Sequence, residues 1–245
     1  MKPLGKPGAF LFIGKPYWVY ISNQGTNMKT LLITLAVIII IIFFIKNNLT
    51  KNNIQGSGNI ISESRELNNF TSIILLGSID VNIKTSESNN CVVVADDNLI
   101  PYIKTEVVNN KLNISLNESY SSEEKLAVNI NTPNYDEVSL SGSGNINILD
   151  FKNNNLSLNI SGSGNITGNG EVETLVVKIN GSGNLMSKEI KSKSATITIN
   201  GSGDGEVFAS DSISAKINGS GNIKYFGNPE NVDSIINGSG DIISN

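Results

Sequence analysis

The 245-residue chain contains no histidine, one cysteine and one arginine. The missing histidine excludes Ser-His-Asp and Cys-His catalysis and any histidine-ligated zinc site. Because Cys91 is alone, no disulfide can form within the chain, and its place in the apolar run CVVVA predicts a buried, unreactive thiol. Any acid–base chemistry would therefore depend on carboxylates, lysines and tyrosines.

Charged side chains are also scarce. They make up 16% of the chain, and the formal net charge is −4. A surface that follows phosphates needs many lysines and arginines, so nucleic acid is not an expected partner. Asn, Ser, Gly and Ile are plentiful instead. This mixture is typical of short strands between frequent turns.

The one long apolar run, residues 31–45, reads LLITLAVIIIIIFFI and carries no charge. A helix of this length spans roughly 22 Å, close to the shortest that crosses a bilayer. Lysines precede the run at positions 2, 6, 15 and 29, which places the N-terminus in the cytoplasm. We therefore predict that residues 31–45 contact the cytoplasmic membrane and that the chain after them lies outside it, in the bacterial cell envelope.

Two kinds of N-terminal segment fit residues 28–46, an uncleaved signal anchor or a cleaved signal peptide. The anchor is preferred because the following residues, KNNLTKNN, lack the small side chains of a cleavage site. Cleavage would instead give a periplasmic or secreted protein. Residues 1–27 show no helical or strand period and form an N-terminal extension that a mis-assigned start codon would explain. The Asn-rich residues 47–62 are predicted to be a tether.

The word Gly-Ser-Gly followed by Asn or Asp occurs six times after residue 136. The first glycines of these copies lie 18–20 residues apart, and alternating apolar residues lead into most of them. Strands of period two that enter one repeated turn at this spacing indicate a solenoid. We predict an all-β fold in which residues 63–245 form a parallel β-helix with rungs of about 19–20 residues. Residues 136–245 would supply about six stacked rungs, and residues 63–135 a less regular β half that caps them.

Each Gly-Ser-Gly is predicted to be a corner of the coil, because a turn repeated in one column needs backbone angles and space that glycine provides. The Asn or Asp that follows is predicted to form a ladder of hydrogen bonds along the stack, in preference to a binding site. The predicted corner and ladder residues are Gly142, Gly144, Asn145, Gly162, Gly164, Asn165, Gly181, Gly183, Asn184, Gly201, Gly203, Asp204, Gly219, Gly221, Asn222, Gly238, Gly240 and Asp241.

No catalytic residue, cofactor or metal is predicted. Calcium is the one metal that such a repeat suggests, because calcium β-rolls also use a short glycine-rich period. Those rolls need a carboxylate in every short repeat, whereas most copies here have Asn at the corresponding place. We therefore do not expect a calcium site.

Residues 63–135 lack the repeated word but keep alternating apolar and polar residues between turn-forming segments. The segment VVNNKLNISL predicts a hairpin, so this half should mix antiparallel pairs with early coils. It would also cap the first rung, as solenoids require. A further GSGNI at residues 56–60 is predicted to supply an early edge strand. The last rung leaves an open edge that can pair with another copy.

Three features together resemble a known family: LLGSIDVNI at 75–83, DDNLIPYIKTEVVNNKLNISL at 96–116, and the GSGNI rungs. They are similar to the bacterial GIN-domain family, "putative auto-transporter adhesin, head GIN domain", over about residues 63–243. The resemblance implies a β-helical protein that is secreted, periplasmic or attached to the cell surface. It carries over no catalytic residues. The N-terminus departs from the lipoprotein-type start common in the family, because no cysteine follows the apolar run.

Two functions from different classes remain open. The first is a non-enzymatic envelope protein, an adhesin-like binding or structural module whose partner is a glycan, a cell-surface protein or another copy. The second is a polysaccharide-acting enzyme that uses carboxylates on neighbouring rungs. The acids of the repeats hold no common position in the coil, which favours the first function. They are Asp150, Glu171, Glu173, Glu189, Glu206, Asp211 and Asp233.

Overall fold

The computed structural model describes residues 9–12, 18–21, 33–42 and 53–245. The chain divides into two compact units, Met1–Asn52 and Asn53–Asn245. In the first unit, β1 (Ala9–Phe12) and β2 (Trp18–Ile21) pair antiparallel, and residues 33–42 are helical. The sequence did not predict this hairpin, because its strands AFLF and WVYI are continuous apolar runs too short to show an alternation.

The predicted membrane segment is described only in part. Residues 33–42 are its helical portion, while residues 31–32 and 43–45 lie outside the described residues. The same is true of residues 28–30 and 46 of the signal segment and of residues 47–52 of the tether. In the described part of the chain, no helix combines the length and the apolar character needed to span a membrane.

The second unit consists almost entirely of strands. Its first nine are β3 (Ile54–Gln55), β4 (Ile60–Arg65), β5 (Ser72–Gly77), β6 (Asp80–Thr85), β7 (Asn90–Asp96), β8 (Ile103–Val108), β9 (Lys111–Leu116), β10 (Tyr120–Ser121) and β11 (Ala127–Thr132). A 3₁₀ turn, Ile100–Tyr102, precedes β8. The other strands are β12 (Glu137–Gly142), β13 (Asn145–Gly162), β14 (Asn165–Gly181), β15 (Leu185–Gly201), β16 (Gly205–Phe208), β17 (Ser212–Gly219), β18 (Ile223–Phe226), β19 (Asn231–Gly238) and β20 (Ile242–Ser244).

Strands β12 to β20 stack in parallel as a β-solenoid of about five turns. Ile160, Ile179 and Ile199 occupy one register position in successive coils and are completely buried. The alternation of apolar and polar residues therefore places its apolar side inward, as the sequence predicted. The all-β class and the β-helix are confirmed. The expected six rungs are corrected to a solenoid of about five turns.

The solenoid begins before the first full copy of the repeated word. β5 pairs in parallel with β12, and β6 pairs in parallel with β13. β8 and β9 form the predicted antiparallel hairpin, and the turn residues Asn109 and Asn110 have φ angles of 52° and 60°. These left-handed angles suit a two-residue hairpin turn. β7 pairs antiparallel with both β4 and β11, so this half mixes parallel and antiparallel strands as expected.

Residues 53–62 differ from the tether that the sequence predicted, because they lie in the compact unit. β3 forms a two-residue parallel pair with β10, and β4 runs antiparallel to β7 over six residue pairs. Arg65 ends β4 and donates hydrogen bonds to the carbonyl oxygens of Ile100 and Ile103, at 3.1 and 2.5 Å. These contacts fix the segment to the irregular half.

Cys91 is completely buried in β7, as its apolar surroundings predicted. Burial raises the pKa of the Cys91 thiol to about 11, and the nearby positive charge of Arg65 lowers it only in part. Since the thiolate is the reactive form, this cysteine is a core side chain at neutral pH.

Tyr135 supplies a test of the packing near the first coil. Its side chain is buried edge-on against Phe151, with ring centroids 4.9 Å apart, and its hydroxyl has no hydrogen-bond partner. Because a buried unpaired hydroxyl destabilises the fold, Tyr135→Phe should add about 1 kcal/mol and raise the melting temperature by about 2–4 °C. Tyr102→Phe, at an exposed tyrosine, is the control and should change little. A lower melting temperature for Tyr135→Phe alone would show that the hydroxyl is bonded.

Candidate functional site

The Gly-Ser-Gly corners lie in one column along the solenoid. In the strand register, Gly142 pairs with Gly162, and the succession continues through every later first glycine. Gly162 has φ +131°, and a Cβ atom there would overlap the carbonyl oxygen of Gly142. The third residue of each word is also constrained, since a Cβ at Gly183 would overlap the Gly164 carbonyl oxygen. The close approach of consecutive coils is therefore what requires glycine here.

The Asn or Asp after each corner forms a second column, joined by side-chain hydrogen bonds. Asn165 donates through Nδ2 to Asn145 Oδ1 at 3.1 Å, and Asn184 donates to Asn165 Oδ1 at 3.0 Å. Asn145 itself donates to Asp80 Oδ1 at 2.8 Å. Each amide thus points its donor toward the preceding coil and its oxygen toward the following one.

An aspartate fits this column because the backbone takes over the missing donor. Asp204 has no side-chain N–H, but its backbone N–H donates to Asn184 Oδ1 at 2.9 Å. Its carboxylate then accepts from both the backbone N–H and Nδ2 of Asn222, at 2.8 and 2.9 Å. Asp241 repeats the backbone bond, donating to Asn222 Oδ1 at 3.1 Å. The first ladder accordingly runs from Asp80 to Asp241 with one direction of donation.

A second amide ladder flanks the other side of the corner, and sequence reasoning missed it. Asn200 donates to Asn180 Oδ1 at 2.8 Å, Asn218 to Asn200 at 2.7 Å, and Asn237 to Asn218 at 3.0 Å. The signal was the Asn that precedes Gly-Ser-Gly in four of the copies, but the first two copies have Ser there. In the last four corners, hydrogen-bonded side chains therefore flank Gly-Ser-Gly on both sides.

A groove of about 710 Å³ opens on another side of the coil, between residues 152–154 and their counterparts in the next coils. Lys152, Glu171 and Lys191 alternate in charge across it in register. Lys193 Nζ lies 2.8 Å from Glu173 Oε1, and this hydrogen bond raises the pKa of Lys193.

Few of the acidic residues of the repeats line this groove. It gathers only two of the seven acids singled out in the sequence, Glu171 and Glu173. Both face lysines, so the groove is a surface of compensated charge. Exposed ion pairs of this kind contribute little stability.

The family profile described as "Putative auto-transporter adhesin, head GIN domain" matches residues 69–229. The chain belongs to this family. The resemblance found in the sequence is thereby confirmed, and the match spans the corner column from Gly77 to Gly219. No curated protein matches the chain.

Solved structures share the fold of this GIN domain. A protein of Bacteroides fragilis described as a "putative adhesin" is 21% identical, with a TM-score of 0.60 over 79% of this chain and 100% of its own. A "putative adhesin" of Parabacteroides distasonis is 24% identical with a TM-score of 0.50 over the same shares. A second protein of that organism, described as a "putative lipid binding protein", is 24% identical with a TM-score of 0.51 over the same shares. At these identities the likeness establishes the fold.

Beside the first ladder of the GIN domain lies a row of exposed serines, one on each corner. Their hydroxyl groups form no side-chain hydrogen bond with any residue in 53–245. Neighbouring coils of a β-solenoid are about 4.8 Å apart, so the hydroxyls repeat at that interval. We call this row the serine crest; it consists of Ser143, Ser163, Ser182, Ser202, Ser220 and Ser239.

The ladders also bear on metal binding. In the first ladder Asp204 and Asp241 are separated by Asn222, and the Asp204 carboxylate already accepts two hydrogen bonds. Within residues 53–245, no three acidic or cysteine side chains converge to hold a metal ion. We therefore expect EDTA to leave the melting temperature of the GIN domain unchanged within about 1 °C. Thermal unfolding of the full-length protein with EDTA, then with excess calcium, checks this. A fall of several degrees that calcium reverses would contradict it.

Proposed function

We propose that the GIN domain is a non-enzymatic, adhesin-like binding module that presents its corner to a partner outside the cytoplasm. The observation that carries the proposal is the serine crest, whose hydroxyls are exposed and unpaired while the ladders beside them are hydrogen-bonded along their length. Because the surface is already ordered, little conformational entropy is lost when it binds. The family membership supports the same class of function.

The partner class that suits the crest is a polar polymer with a short repeat, either a glycan or a protein of another cell surface. Hydroxyl and amide groups can donate and accept, so they match sugar hydroxyls without a charge requirement. The regular spacing lets one kind of contact be made several times along the crest. Contacts repeated in this way raise the avidity above that of a single site.

The proposal places the domain on the outer side of the cytoplasmic membrane, held by an anchor at residues 31–45. The lysines before this run and the missing cleavage signal after it support the anchor over a cleaved signal peptide. Protease treatment of spheroplasts that express a C-terminally tagged chain tests it. Membrane-bound, full-length and protease-accessible product is expected, whereas soluble product starting near Lys46 would replace the anchor with a signal peptide.

The binding test uses the full-length protein in detergent on a glycan array and on intact bacterial cells. Ser202→Arg places a large charged side chain on the crest, and Ser210→Arg does the same at an exposed serine of the next coil that is off the crest. We expect Ser202→Arg to weaken retention at least tenfold and Ser210→Arg to leave it unchanged. Equal effects, or no retention by the unaltered protein, would contradict the crest as the binding surface.

The same samples distinguish binding from catalysis. Glycans that retain the protein on the array are incubated with it in solution, and newly formed reducing ends are measured. No release above background is expected. Release that Glu171→Gln or Glu173→Gln abolishes would show instead that the groove belongs to a polysaccharide-acting enzyme.

A further inference from the structure

One copy of the corner word does not belong to the corner column. Residues 54–60 read IQGSGNI, yet Gly56 pairs with no glycine of the stack. Instead the word wraps around the loop after β7. The Gly58 backbone N–H donates to Asp96 Oδ1 at 2.7 Å, and Asn59 Nδ2 donates to Asp97 Oδ2 at 2.9 Å. We call residues 54–60 the orphan repeat.

The orphan repeat has the sequence of a corner, but its isoleucines are not packed as they are in the stacked corners. Ile60 corresponds to Ile146 and Ile166 of the stacked copies, which are completely buried. In its observed position Ile60 is 39% exposed, and Ile54 is only half-buried. Burying apolar side chains stabilises a protein, and these two isoleucines of the orphan repeat are not fully buried.

The solenoid has a matching open end. Within residues 53–245, no strand pairs with the outer edge of β19 or β20. Ile236 occupies the same column as the fully buried Ile217 but is 46% exposed, because no coil covers it. At this end Asn237 Oδ1 and the Asp241 carboxylate receive no hydrogen bond from another residue in 53–245, although every earlier Asn or Asp of the two ladders receives one.

The geometry points to the orphan repeat of a second copy of this chain as the occupant of the open end, where it adds in parallel as one more corner. Aligning the two words sets Gly56 over Gly238 and Gly58 over Gly240, the positions at which only glycine avoids the preceding coil's carbonyl oxygens. The same register sets the exposed Ile60 over the partly buried Ile242, so the two apolar side chains cover each other.

The hydrogen-bond donors of the orphan repeat match the free acceptors at the open end. In this register Gln55 follows Asn237 in the second ladder, and Asn59 follows Asp241 in the first. Both are amides, so each can donate to the open oxygen below it, as Asn222 donates to Asp204 within the chain. A carboxylate at position 59 could not do so. The charge pattern also fits, because Asn59 brings no second negative charge against Asp241.

The donor and acceptor surfaces lie on different parts of the chain, so the contact is head-to-tail. Contacts of this type form rings or open filaments, because each added copy presents a fresh acceptor end. Main-chain pairing at a sheet edge supplies the affinity, and side-chain register supplies the selectivity. The donor gives up the two-residue pair between β3 and β10, the pairing of Ile60 with Asp96, and its bonds to the Asp96–Asn98 loop. It gains the main-chain and ladder bonds of one corner.

The test uses two full-length chains with different tags, co-expressed and oxidised mildly in isolated membranes. One carries Ser57→Cys in the orphan repeat, and the other carries Ser239→Cys on the last corner. Paired positions on adjacent strands lie within the Cα separation that a disulfide allows, about 4.4–6.8 Å. The native Cys91 is buried and does not compete. A disulfide-linked dimer that carries both tags is expected.

Ser202→Cys is the matched control for Ser239→Cys, because it is an exposed crest serine in a coil whose edge is already occupied. It should yield at least tenfold less mixed dimer. Ile236→Lys, added to the Ser239→Cys chain, should abolish the mixed dimer while the melting temperature stays the same.

The inference is overturned by mixed dimer at the control level, by persistence of the dimer in the Ile236→Lys chain, or by cross-linking of Ser239→Cys to a different protein.

Discussion

Ile199→Asp is expected to lower the free energy of unfolding by more than about 4 kcal/mol. Ile199 is completely buried between Ile179 and Ile217 in neighbouring coils. A carboxylate at this place would lose its hydration without gaining a hydrogen-bond donor or a cation. Its free energy of ionisation in the core is therefore strongly unfavourable. Chemical denaturation of the full-length protein in detergent, monitored by far-UV circular dichroism, measures the loss of unfolding free energy.

Thr198→Asp is the matched control. Thr198 lies next to Ile199 on the outward side of the same strand, between Lys178 and Lys216 in the register. A carboxylate there stays hydrated and faces two lysines, so stability should change by less than about 0.5 kcal/mol. If Ile199→Asp and Thr198→Asp gave the same midpoint, the inward and outward sides of the strand would be assigned wrongly.

Gly183→Ala should be the next most damaging change, with a loss of about 3 kcal/mol. The added methyl would overlap the Gly164 carbonyl oxygen and press on the Ile160 side chain. Backbone of the preceding coil cannot move aside without breaking the ladders that flank it, so the strain is retained. Thermal unfolding measures the effect.

Ser182→Ala, one residue earlier on the exposed crest, controls for a change in the turn's sequence. It should leave the melting temperature within about 2 °C of the unaltered protein, because surface substitutions rarely exceed about 0.5 kcal/mol. An equally stable Gly183→Ala protein would mean that consecutive coils do not approach as closely as described.

The corner column could be predicted because one local word repeats at a nearly constant spacing. Gly77 was missed, although it pairs with Gly142, because the word there is Gly-Ser-Ile and lacks the second glycine. The second ladder was missed for a similar reason, since Ser141 and Ser161 interrupt its Asn pattern. In both cases the register of the strands, which the sequence does not state, determines column membership.

The orphan repeat shows the opposite error, in which a corner word in the sequence does not lie in the corner column. It contains every residue type of a corner, but its position depends on which strand edge is available, and within the chain β5 already pairs with both β9 and β12. The partners of β7 were equally hidden, because alternation of apolar residues identifies a buried face and not the neighbour that covers an edge. Long-range pairing is therefore what the sequence alone leaves open.

The central claim is that all corners from residue 142 to residue 240 share one straight crest. Spin labels on Ser143→Cys/Ser239→Cys in the full-length protein measure it directly, because these serines are exposed and five coils apart. Stacked coils predict one narrow distance distribution centred at about 24 Å. A broad distribution, or a centre beyond about 35 Å, would show that the corners do not form a single column.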